Sequence, residues 1–132
     1  MGRIVAIDYG LKRIGVAISD AGKKVALPLT TVPDFKSLEK ALAPHTIEKI
    51  LVGLPLLLSG KDSAMTTAAR QFAAKLQTAM NVPVELIDER FSSKLADASL
   101  REIQLKRKKR SETMDVTAAT MLLQGYLDAN AH

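Results

Sequence analysis

Between Arg3 and Val32, three strand-like segments follow one another with links too short for a helix. Arg3 to Asp8 is the first, and a turn at Tyr9-Gly10 leads to Arg13 to Ser19. Asp20-Ala21-Gly22 turns the chain again, and Val25 to Val32 is the third strand. Such short links admit only an antiparallel meander. Pro28 marks the third strand as an edge or an irregular one, because proline cannot donate to a ladder.

Beyond Val32 the pattern changes to helices alternating with short apolar runs. Asp34 is placed to N-cap a helix over Phe35 to Leu42, which Pro44 terminates. Lys49 to Gly53 reads as a buried parallel strand, and Ser63 to Met80 has helical periodicity with Phe72 and Leu76 four apart. Asn81-Val82-Pro83 stops that helix before a strand over Val84 to Asp88. Helices over Ser92 to Ile103 and Glu112 to Ala129 flank the basic run Lys106-Arg107-Lys108-Lys109-Arg110. The expected fold is α/β, a mixed five-stranded sheet flanked by helices, forming one domain over residues 1–132.

Composition narrows the chemistry. Hydrophobic residues make up 47% of the chain, enough for a core, yet only five residues are aromatic, so Leu, Ile, Val, Ala and Met must fill it. Cysteine is absent, which removes thiolate nucleophiles and cysteine zinc sites and suits a reducing cytoplasm. We expect no signal peptide and no membrane contact. His45 and His132 stand alone, so a histidine-centred site has no support. Gly60-Lys61 is not a P-loop, since Pro55 and Asp62 stand where glycine and a hydroxyl residue are required. The net charge of +5 favours a polyanionic partner.

Against that basic background, acidic residues close the buried strands. Asp8 ends the run Ile4 to Ile7, and Asp88-Glu89 ends the run from Val84. Asp115 lies on the apolar stripe of the last helix with Ala119, Leu122 and Tyr126, while Gln124 and Asp128 fall on its polar side. Converging carboxylates repel unless a cation lies between them, and such a cluster suits magnesium-assisted phosphoryl transfer. The rival readings are a turn at Asp8-Tyr9-Gly10, a surface ion pair at Asp88-Glu89-Arg90, and a helix-dipole role for Asp115. Strand alternation lets only one of Asp88 and Glu89 face such a cluster; Glu89 is preferred and Asp88 held in reserve. Lys12, Arg13, Arg90 and Lys106 to Arg110 could hold a phosphate backbone. Gly10 and Gly15 would let backbone or phosphate approach closely, and Gly53 would keep side-chain bulk out of a neighbouring site.

Four motifs occur together, in order: Ile7-Asp8-Tyr9-Gly10 with Arg13 to Ala17, Val52 to Leu56, Asp88-Glu89-Arg90, and Asp115 to Ala119 with Leu122 to Leu127. In this the chain resembles the YqgF/RuvX family, described as Holliday junction resolvases or pre-16S ribosomal RNA nucleases. The resemblance spans nearly the whole chain. It implies an RNase H-like fold, catalytic positions at Asp8, Asp88-Glu89 and Asp115, and Mg²⁺ or Mn²⁺ as the metal. Phe91 and Ser92 depart from the family's Leu and Thr after Asp-Glu-Arg, and the loop Leu57-Leu58-Ser59 is more apolar than expected. The expected activity is hydrolysis of phosphodiester bonds at the 5′ end of pre-16S ribosomal RNA by a monomer or weak homodimer. The alternatives are resolution of branched DNA and a non-catalytic RNA-binding or ribosome-assembly role.

Overall fold

The computed structural model of the chain describes residues 2–10, 12–54, 64–88 and 111–130, and of residues 54, 64, 65, 88 and 111–117 only the backbone. The expected helix over Ser92 to Ile103 and the basic run Lys106 to Arg110 lie outside the described residues.

The meander forms as the short links require. Strands β1 (Arg3–Tyr9), β2 (Ile14–Ser19) and β3 (Ala26–Val32) pair antiparallel, and β3 is an edge strand. Its register slips opposite Val16 and Ala17, next to Pro28, so the proline sits both at an edge and at an irregularity. Helix α1 (Phe35–Leu42) follows, its first turn capped by the Asp34 carboxylate, which accepts the Ser37 N–H at 2.8 Å. That bond to a backbone N–H holds the Asp34 pKa below its ordinary value.

Strand β4 (Ile47–Leu54) then pairs parallel to β1, and after α2 (Ala64–Met80), β5 (Val84–Asp88) pairs parallel to β4. Asn81 ends α2 with a φ of 55°, its N–H donating to the Gln77 carbonyl at 2.9 Å. The order across the sheet is β3-β2-β1-β4-β5. The last described helix is α3 (Ser111–Ala129).

Alternation along the strands divides the core in two. Val5, Ile7, Val16, Ile18, Ile50 and Val52 point to one face, where Leu38 and Leu42 of α1 and Phe72 and Leu76 of α2 cover them. Ile4, Ala6, Ala17 and Leu51 point to the other, beneath Ala119, Leu122, Leu123 and Leu127 of α3. Small residues on this second face let α3 lie close to the sheet.

Two polar devices fix that geometry. Where the β1–β4 register shifts at Arg3 and Ile4, the fully buried Ser19 hydroxyl accepts the Ile4 N–H at 2.9 Å and donates to the Asp20 carbonyl at 3.0 Å. Half-buried Gln124 of α3, expected on the helix's polar side, faces backbone of the β2–β3 turn. Its Oε1 accepts the Ala26 N–H at 2.9 Å and its Nε2 donates to the Lys24 carbonyl at 3.0 Å. A helical projection shows a side's direction but not whether a neighbouring turn leaves backbone groups to satisfy.

Candidate active site

Asp8 sits in the last turn of pleat of β1, the strand at the centre of the sheet. Alternation with Ile4 and Ala6 puts it on the face covered by α3, and its residue is half-buried there. Across the ladder its partner is Gly15 of β2. On its other side Ile7 pairs with Val52, so the next position in β4 is Gly53. Gly53 shares the parity of Leu51 and therefore faces α3 as Asp8 does. The carboxylate thus stands between two strands that carry no side chain beside it.

Gly10 permits a close approach of backbone, as expected. A Cβ there would come within 2.7 Å of the Arg13 carbonyl oxygen, so the close approach it permits is that of its own turn. Lys12 is exposed and Arg13 half-exposed in this turn, at the same end of the sheet as Asp8. Asp88 ends β5 opposite Leu54, also at that end. Its parity is that of Val84 and Leu86, which pack on the α1/α2 face, whereas Glu85 and Ile87 have the parity of Asp8's face.

Asp115 lies in α3 one turn before Ala119, whose side chain is fully buried against the sheet. The side chains of Asp88 and Asp115, and the residues Glu89, Arg90 and Lys106 to Arg110, lie outside what the structure describes. Of the expected carboxylates, Asp8 alone is therefore seen with its surroundings.

The seat of α3 over the sheet includes a polar contact that sequence patterning did not reveal. Lys49 of β4 donates to the Tyr126 hydroxyl at 2.9 Å, lies 5.2 Å from that ring's centroid, and pairs with Glu85 of β5. Hydrogen bonds to Glu85 and then Tyr126 raise the Lys49 pKa, outweighing its partial desolvation. Only the pairing register, which sets Glu85 beside Leu51 and so diagonally across from Lys49 on the same face, could have disclosed it.

A family model described as "RuvX: Holliday junction resolvase" matches residues 2–129. The chain belongs to the RuvX family. Among its curated relatives is the "Putative pre-16S rRNA nuclease" of Protochlamydia amoebophila (strain UWE25), 40% identical over 140 residues, covering 96% of this chain and 93% of the relative. The protein of the same name from Koribacter versatilis (strain Ellin345) is 42% identical over 133 residues, covering 96% and 87%. The fold recurs in "T. thermophilus RuvC in complex with Holliday junction substrate", with a TM-score of 0.64 at 16% identity over 98% of this chain and 97% of that one. The mixed five-stranded sheet of this RuvX-family chain is accordingly RNase H-like. No helix among its described residues is long and apolar enough to cross a membrane.

Proposed function

We propose that this RuvX-family chain, as one domain over residues 1–132, is a metal-dependent nuclease that hydrolyses phosphodiester bonds in structured nucleic acid, with pre-16S ribosomal RNA as its substrate. The observation that carries this is the half-buried Asp8 at the end of the central strand, flanked by Gly15 and by the position of Gly53. A carboxylate in that setting keeps its charge most readily beside a cation, and the paired glycines leave room for a phosphate.

The donor set fits magnesium or manganese. Asp8, Glu89 and Asp115 are all oxygen donors, the kind hard divalent cations take. The parity that gives Glu85 and Ile87 Asp8's face favours Glu89 over Asp88 as the third ligand. For Asp115 the support comes from helix rise. Gln124 touches Ala26, which pairs with Ser19, whose hydroxyl meets Ile4. From Gln124 back to position 115 an α-helix rises about 13 Å. From Ile4 to Asp8 a strand advances about the same distance, about 13 Å.

A bound divalent cation supplies charge against the phosphate and acidifies water. The protein's own residues do the rest. Asp8, Glu89 and Asp115 would hold the cation. Lys12, Arg13 and Arg90, with Lys106, Arg107, Lys108, Lys109 and Arg110, hold the neighbouring backbone and carry little sequence information.

Cleavage of a pre-16S precursor and of a four-way DNA junction, measured for wild type and Asp8→Asn across a Mg²⁺ titration, tests the reading. Wild type should cut the precursor in a Mg²⁺-dependent manner, and Asp8→Asn should not, with its melting temperature retained. Cleavage by Asp8→Asn equal to wild type would sink the mechanism. Preferential cutting of the junction by a dimer, which resolution of a two-fold substrate requires, would transfer the activity to branched DNA. Salt-sensitive RNA binding indifferent to Asp8 and Mg²⁺, without cleavage, would leave an RNA-binding or assembly factor.

A further inference from the structure

We propose that the cleft on the opposite face of the sheet from Asp8 binds an unpaired nucleobase of the same strand whose phosphate lies at Asp8, an inference that rests on the nuclease reading above. The cleft has a volume of about 290 Å³ and is lined by Tyr9, Phe35, Phe72, Asp34, Gln71 and Lys75, among others. Its size is at the lower end of small-molecule sites, roughly 300 Å³.

Three observations favour a base as the occupant. First, the chain holds few aromatics, five in all, and three of them line this cleft. The Tyr9 and Phe72 rings lie 4.5 Å apart at 31°, and Phe35 meets Phe72 edge-on at 5.8 Å. The half-exposed Tyr9 and Phe35 border the cleft over the buried Phe72, and a partly exposed ring can stack on a base regardless of sequence.

Second, the lining carries both an anion and a cation, Asp34 and Lys75. Asp34 in the lining has its pKa lowered by its bond from the Ser37 N–H, so it would repel phosphate and could accept from an exocyclic amine or ring N–H. The exposed Lys75 ammonium, 4.4 Å from the Phe35 centroid, is available to the backbone of the adjoining nucleotide.

Third, the cleft and Asp8 share one strand end. Tyr9 follows Asp8 in β1 and turns to the other face. Their Cα atoms lie about 3.8 Å apart. A strand crossing the end of β1 therefore meets the carboxylate on one face and the ring on the other. The second cleft, beside Gly2, Arg3 and His45, lies at the far end of β1 and has no Phe or Tyr in its lining.

Fluorescence of 2-aminopurine placed next to the scissile position reads this directly, because the protein has no tryptophan. With single-stranded RNA in metal-free buffer, binding should quench the probe, and the fully paired duplex should bind without quenching. Filling the cleft with Ala68→Leu should abolish the quenching and weaken single-strand binding on the order of tenfold, leaving duplex binding unchanged. If that variant fails to melt cooperatively, the more flexible Ala68→Met fills the same space and must give the same result. Equal quenching by the filled variant, or equal affinity for single strand and duplex in wild type, overturns the proposal. Saturable AMP binding that the RNA does not displace overturns it in favour of a free nucleotide. Asp8→Asn separates the two readings: quenching with cleavage that ignores Asp8 defeats the nuclease mechanism alone. Asp8-dependent cleavage without quenching defeats the base subsite alone.

Discussion

Asp8 and Gly15 stand directly opposite one another across the β1–β2 ladder, on the face of the sheet that α3 covers. A side chain at position 15 would project beside the carboxylate and beneath the helix. Gly15→Val is therefore expected to cost about 1–3 kcal/mol through overpacking. It should lower cleavage by far more than that loss of stability explains. Parallel measurement of cleavage and urea unfolding checks this; a variant that cuts like wild type would show the space to be irrelevant.

Ser19 is completely buried, and its hydroxyl satisfies the Ile4 N–H at the point where the β1–β4 register slips. Ser19→Ala leaves that donor without a partner, which should cost about 1–3 kcal/mol. Ser19→Thr, which keeps the hydroxyl, should cost less if its methyl group is accommodated. Denaturant midpoints of the two variants give the comparison.

Gln124 joins α3 to the β2–β3 turn through the Ala26 N–H and the Lys24 carbonyl, and its Nε2 also donates to Asp128 at 3.0 Å. Gln124→Ala should destabilise the fold by about 1–3 kcal/mol, since the Ala26 N–H loses its acceptor. Hydrogen exchange should show the loss concentrated at Ala26 and in α3, and uniform acceleration across the sheet would count against a local tie.

Lys49 has its pKa raised by Glu85 and then by Tyr126. A cation whose folded pKa exceeds its unfolded value stabilises fully below the unfolded pKa, about 10.4 for lysine. That contribution disappears as pH rises through the folded pKa. Stability should accordingly fall in alkali above about pH 10, and Lys49→Met should flatten that limb of the curve. Chemical unfolding at several alkaline pH values tests it, and an equally steep fall in the variant would assign the effect to other groups.

The framework was legible because its signals are local. Asp34, Pro44 and Asn81 punctuate helices by chemistry confined to one turn, and α1 and β5 fall where capping and apolar runs put them. Asp8 was legible for the same reason, as a carboxylate ending a buried strand. What sequence could not disclose depends on pairing across the sheet. Gly15 and Gly53 become neighbours of Asp8 only through the registers of β2 and β4. Tyr9, Phe35 and Phe72 are scattered until β1, α1 and α2 bring their rings together. Lys49 and Tyr126 are 77 positions apart, and nothing in either segment announces the other.

The order in which the elements appear has a further consequence. Helix α3 is translated after every strand it covers, and among the described elements it is the helix that covers Ile4, Ala6, Ala17 and Leu51. A nascent chain that has completed the sheet still lacks position 115 and exposes an apolar surface. Among the described elements, synthesis therefore delivers the cover of that face last, and position 115 arrives with it.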